Sequence, residues 1–139
     1  VEMQPKPLSV AFFDIGGTLG TVSLAPLELK LFPTTISWLQ NFRDILGMRL
    51  GVISNIGDLQ PANITALLQS AGLLKFLSAD LIITSRDGHG QKPESAIYQF
   101  AAIKAALPIN QCLYIGEDPV EVQAAIKTGM SGIVRRPAG

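Results

Sequence analysis

The sequence predicts an α/β domain on a three-layer, doubly wound, Rossmann-like parallel sheet with no cap domain. Three observations predict it. Short apolar runs alternate with amphipathic ones along the 139 residues. The short runs are apolar almost throughout, as strands covered by helices on both faces must be. Polar residues follow the strands directly, where ligands bind in open α/β sheets. Right-handed crossovers between successive parallel strands place helices on both sides.

The elements follow in order. Leu8 to Phe13 is a short run rich in apolar, β-branched and aromatic residues that ends at Asp14-Ile15-Gly16-Gly17, a buried strand entering a glycine turn. Pro33 to Leu46 reads as a helix, with proline in its first turn and Ile36, Leu39, Phe42 and Leu46 near helical spacing. Met48 to Ser54 is the second strand. Pro61 opens a helix whose Ile64, Leu67, Leu68 and Ala71 share one face, and Gly72 stops it. Asp80 to Thr84 is the third strand, and a polar loop through His89 leads to a helix over Pro93 to Ala106. Strand four is Cys112 to Ile115, a helix covers about Pro119 to Thr128, and Gly132 to Val134 is a last short strand.

This length suits one domain, residues 1–139, and is too short for two. A hydrophobic share of 47% against 16% charged excludes a disordered chain. Eleven basic residues balance eleven acidic ones, so nothing global attracts nucleic acid or an anionic membrane. No run approaches the ~20 apolar residues of a membrane span, and the first residues lack a signal-peptide pattern. The single Cys112 excludes an internal disulfide and reads as a core residue of a cytoplasmic protein.

The strand ends carry a carboxylate (Asp14), a hydroxyl (Ser54), an ammonium (Lys92) and an acidic pair (Glu117 and Asp118). A carboxylate can attack phosphorus when a divalent cation and a lysine offset the repulsion between two anions. A hydroxyl and backbone N–H groups hold phosphoryl oxygens, and further carboxylates suit a hard cation such as Mg²⁺. The set matches phosphoryl transfer through an aspartyl-phosphate.

At these residues the sequence resembles the haloacid dehalogenase-like (HAD) superfamily of hydrolases, over nearly its whole length. Phe12-Phe13-Asp14-Ile15-Gly16-Gly17-Thr18-Leu19 is similar to its first motif, Gly51-Val52-Ile53-Ser54-Asn55 to its second, and Lys92-Pro93 to the lysine-proline helix entry of its third. Leu113 to Glu121, with Ala124-Ala125 and Gly129-Met130, is similar to its fourth. The resemblance implies Asp14 as nucleophile and Mg²⁺ ligand, and Lys92 as the group that neutralises the phosphoryl and Asp14 charges. It implies phosphate contacts from Ser54, Asn55 and Gly17. Metal contacts would come from the Gly16 carbonyl and from Glu117 or Asp118, a choice the alignment leaves open.

Three departures qualify that expectation. Gly16 stands where the family's phosphatases carry a second aspartate, the general acid and base. Such help is worth ~10²–10⁴-fold in rate, so a slow phosphatase is expected, favouring good leaving groups such as acyl phosphates. A catalytically inert binding or interaction module on the same fold is the alternative. The fourth motif reads Gly116-Glu117-Asp118-Pro119-Val120-Glu121 instead of placing an aspartate after its glycine, and Glu121 reads first as a helix-start carboxylate, with metal binding secondary. Finally, 39 residues separate Asp14 from Ser54 and 37 separate Ser54 from Lys92, leaving only a short flap over about Gly20 to Phe32. Water would be excluded by that flap, by a large phosphorylated substrate, or by a homo-oligomer; a small phosphorylated molecule is the other substrate class. His89 reads as a mobile loop residue and Trp38 as packing. A receiver-like signalling domain is disfavoured, because there the acidic pair precedes the lysine-proline step.

Overall fold

Phe12 and Phe13 face opposite sides of one strand, and that alternation organises the molecule. Strand β1 (Val10–Phe13) sends Ala11 and Phe13 into one apolar cluster and Val10 and Phe12 into another. Strands β4 (Arg49–Ser54) and β6 (Cys112–Gly116) flank β1 in parallel and alternate the same way. Leu50, Val52, Leu113 and Ile115 join the first cluster, and Ile53, Cys112 and Tyr114 the second. With β5 (Ile82–Thr84) and β7 (Ser131–Val134) the sheet runs in the order β5-β4-β1-β6-β7, all parallel. The computed structural model describes residues 7–137, so the first six and last two residues of the predicted domain lie outside the described residues.

Helices α1 (Thr35–Gln40) and α2 (Pro61–Ser70) cover the first cluster; α3 (Ser95–Lys104) and α4 (Pro119–Thr128) cover the second. This is the three-layer doubly wound fold the apolar runs predict, and among the described residues no cap domain interrupts it. No helix among them is long and apolar enough to cross a membrane. From β1 the chain steps outward through β4 to β5, then returns to the far side of β1 with β6. The switch point therefore lies at the carboxyl ends of β1, β4 and β6.

The predicted flap is an antiparallel hairpin, β2 (Gly20–Leu24) with β3 (Leu27–Leu31). Its Leu29 is buried, and Val22, Leu27 and Leu31 pack on the first cluster, so much of the flap's apolar surface is held by the domain itself. Gly20 is the pivot: a Cβ there would stand 2.2 Å from the Lys30 carbonyl oxygen.

Three predicted elements need correction. The helix expected to Leu46 widens after Gln40 into a π-helical turn over Asn41–Ile45, with the Leu46 amide donating to the Asn41 carbonyl at 3.0 Å. The extra residue per turn rotates Ile45 and Leu46 into solvent, at 75% and 61% exposure, so Leu46 does not join the core. The third strand starts at Ile82, because Ala79–Leu81 forms a 3₁₀ turn that buries Leu81. Helix α3 starts at Ser95, two residues after Pro93, with Glu94 as its extended cap residue.

Candidate active site

Asp14 leaves the carboxyl end of β1, and its backbone amide donates to the Ile115 carbonyl at 2.9 Å, tying the turn to β6. One of its carboxylate oxygens, Oδ1, lies 2.9 Å from Lys92 Nζ. The ammonium is almost wholly enclosed, its side chain 1% exposed. It donates to Tyr114 Oη at 2.8 Å and stands 2.9 Å from Glu121 Oε1, so three oxygens meet its three N–H bonds. Tyr114 Oη in turn donates to Glu121 Oε1 at 3.1 Å. Burial, followed by the charges of Asp14 and Glu121, pushes the Tyr114 phenol far above its ordinary range, so it remains a neutral donor.

Lys92 is held from its backbone as well. The Asn55 side chain accepts from the Lys92 amide and donates to the Lys92 carbonyl, both at 2.9 Å. Asn55 thus fastens the lysine loop to the end of β4, whereas the sequence assigns it to phosphate. Ser54 sits beside it, 7% exposed, and lines a cavity of about 340 Å³ together with Asp14, Gly16, Asn55 and Lys92. Thr18 Oγ1 approaches Asp14 Oδ2 at 3.5 Å.

The Gly17 amide, expected to contact phosphate, donates here to the Gly20 carbonyl at 2.9 Å and closes the turn. Its φ is +80°, and a Cβ there would lie 2.7 Å from Glu117 Cγ, so the Glu117 side chain crosses directly over the first motif. Asp118 is spent differently: Oδ1 accepts the Val120 amide at 2.8 Å and caps α4. Of the acidic pair, Glu117 is the one set against the Asp14 turn.

A model of the family described as haloacid dehalogenase-like hydrolase matches residues 9–129. The chain belongs to that family. A haloacid dehalogenase-like hydrolase domain-containing protein of Arabidopsis thaliana is 32% identical over 60 residues, 43% of this chain but only 19% of that longer protein. An uncharacterised protein of Listeria monocytogenes serotype 4b superposes with a TM-score of 0.79 at 20% identity, covering 91% of this chain and 78% of the other. A HAD phosphatase of Thermococcus onnurineus superposes at 0.64 with 26% identity, over 76% of this chain and 46% of its own.

Three side chains of the site go beyond the sequence reading. Tyr114 reads there as one more apolar-run residue; its hydroxyl is the missed signal, since a buried phenol needs a partner. Glu121 reads there as a helix-start carboxylate, yet its position one turn into α4 aims it at Lys92. Tyr98, from α3, donates to the Glu121 carbonyl at 2.8 Å and steadies that turn. His89, expected to be mobile, stacks on Phe100 with ring centroids 3.7 Å apart. Trp38 packs against Phe42 and the Arg135 guanidinium, away from the site, as expected.

The donor set can also be tested against the cation the family implies. Among the described residues no three acidic, histidine or cysteine side chains converge into a closed cage. The end of the sheet nonetheless sets one ammonium, Lys92, against two carboxylates, those of Asp14 and Glu121. A phosphoryl dianion entering such an acidic site needs a cation. A few oxygen donors without a cage fit Mg²⁺, which keeps several waters and takes the rest of its ligands from carboxylates and substrate phosphate.

Proposed function

We propose that this chain is a phosphohydrolase that works through an Asp14 aspartyl-phosphate. The observation that carries the reading is the Asp14 carboxylate, held by the buried Lys92 ammonium at 2.9 Å on the wall of a cavity also lined by Ser54. Lys92 orients Asp14 and offsets its charge. Asp14 attacks phosphorus, and the bond from phosphorus to the leaving oxygen breaks. Water then attacks the aspartyl-phosphate, releasing inorganic phosphate and restoring the carboxylate. Ser54 holds a phosphoryl oxygen. Mg²⁺, held by Asp14, the Gly16 carbonyl and Glu117, would neutralise phosphoryl charge. Gly16 supplies no proton to the leaving oxygen, so acyl phosphates and aryl esters turn over faster than alkyl esters, and the latter slowly.

The test is turnover of acetyl phosphate and p-nitrophenyl phosphate with Mg²⁺, in the parent protein and in Asp14→Asn. Loss of turnover in the variant is expected; turnover untouched by it sinks the mechanism. The inert-module reading is favoured by Gly16 and by the altered fourth motif, and calorimetry showing no Mg²⁺ or beryllofluoride binding would select it.

A further inference from the structure

The cavity at Asp14 is polar at one end only. Beyond Asp14, Ser54, Asn55, Lys92 and Glu121 its walls are apolar, with Val22, Leu24 and Leu27 from the hairpin on one side and Leu59, Ile64 and Leu67 on the other. Leu24, at the hairpin tip, is 74% exposed, a large apolar side chain left in water at the mouth of the site. Gly16 continues the same surface. A Cβ at that position would meet only Val22 Cγ2, at 3.6 Å, so the place of the missing acid borders an apolar wall.

We propose that the natural substrate carries a compact apolar group on the leaving side of the phosphoryl, the size of a phenyl ring or a short branched alkyl chain, packed between the β2–β3 hairpin and α2. The proposal rests on the phosphoryl reading of Asp14. Size permits it: an apolar cavity of roughly 150 Å³ already binds benzene, and about 340 Å³ here leaves room for the phosphoryl group as well. Chemistry selects it, because sugar or glycerol hydroxyls placed against these leucines and isoleucines would lose their water without gaining partners. The residue lost at position 16 and the apolar pocket are then one feature. The site exchanges proton donation for contact with an apolar leaving group.

The test separates binding from turnover. Methyl-, ethyl-, propyl-, butyl- and phenylphosphonate are titrated by calorimetry with Mg²⁺ present. Affinity is expected to rise about two- to fourfold per methylene up to propyl or butyl, as partial to full burial of each group implies. Phenylphosphonate is expected to exceed methylphosphonate by about tenfold or more on the same scale. Leu24→Asp, at a position open enough to accept a carboxylate, should flatten the series. A flat or falling series in the parent protein, or an unchanged one in Leu24→Asp, overturns the proposal. Asp14-dependent hydrolysis of acetyl phosphate, whose acyl group ends in a single methyl, is measured alongside. Hydrolysis with a flat series overturns the pocket alone, whereas neither hydrolysis nor phosphonate binding overturns both readings.

Discussion

Glu121 Oε1 stands 2.9 Å from Lys92 Nζ, as close as Asp14 Oδ1 does. The lysine is therefore shared between two carboxylates, and Tyr114 closes the ring by accepting from Lys92 and donating to Glu121. A buried charge is costly unless paired, and here each member depends on the others.

That dependence is measurable. Lys92→Met leaves Asp14 and Glu121 without their common counterion. It should cost about 3–5 kcal/mol in urea unfolding, the usual loss when one partner of a buried pair is removed. Adding Glu121→Gln should return part of that loss. If the two substitutions are instead additive, the shared-lysine account fails.

Gly16→Asp should fold well. Its φ lies outside the left-handed range, and the added Cβ meets only Val22 Cγ2 at an ordinary 3.6 Å. If position 16 lacks only a general acid, turnover of alkyl phosphates should rise tenfold or more, up to ~10⁴-fold. No gain at saturating Mg²⁺ would show that the slow step lies elsewhere.

Gly17→Ala should behave in the opposite way. Its φ of +80° and the 2.7 Å approach to Glu117 Cγ combine backbone strain with a clash. A loss of about 1–3 kcal/mol is expected by thermal or urea unfolding, against little loss for Gly16→Ala. Equal effects at the two glycines would contradict this geometry.

Stability should fall in alkali. Burial pushes the Cys112 thiol up to about 11 from an ordinary 9.0. Burial first, and then the charges of Asp14 and Glu121 for Tyr114 and of Glu121 for Tyr98, raises both phenols well above their ordinary 10.0. In each case the fold prefers the protonated form, so the contribution is whole below pH 9 and is lost as pH climbs from there. The urea midpoint should drop between pH 9 and 10.5, with Cys112 contributing on the order of 1 kcal/mol near pH 10. Cys112→Ala should reduce the drop, and a flat profile would count against these buried groups.

Much of the fold was legible because each layer is written locally. The apolar runs at Leu8–Phe13, Met48–Ser54 and Cys112–Ile115 announce strands covered on both faces, and Gly72 ends a helix where glycine can take a positive φ. Asp14, Ser54 and Lys92 were legible for the same reason, since strand ends mark the site in this architecture. The π-helical turn was not legible, because one extra residue in a turn leaves the apolar spacing almost unchanged and shows only in which side chains face water.

Asp14 and Lys92, 78 positions apart, are thus chosen by the sequence, through motifs whose spacing needs nothing beyond strand, turn and helix. Which partners they keep was decided only by the tertiary structure. Asn55 fastens the Lys92 loop, Asp118 is spent as a helix cap, Glu117 lies over Gly17, and Glu121 and Tyr114 enclose the ammonium. The reason is physical. A polar side chain takes the nearest partner its burial allows, and those neighbours come from strands and helices that meet only when the sheet closes.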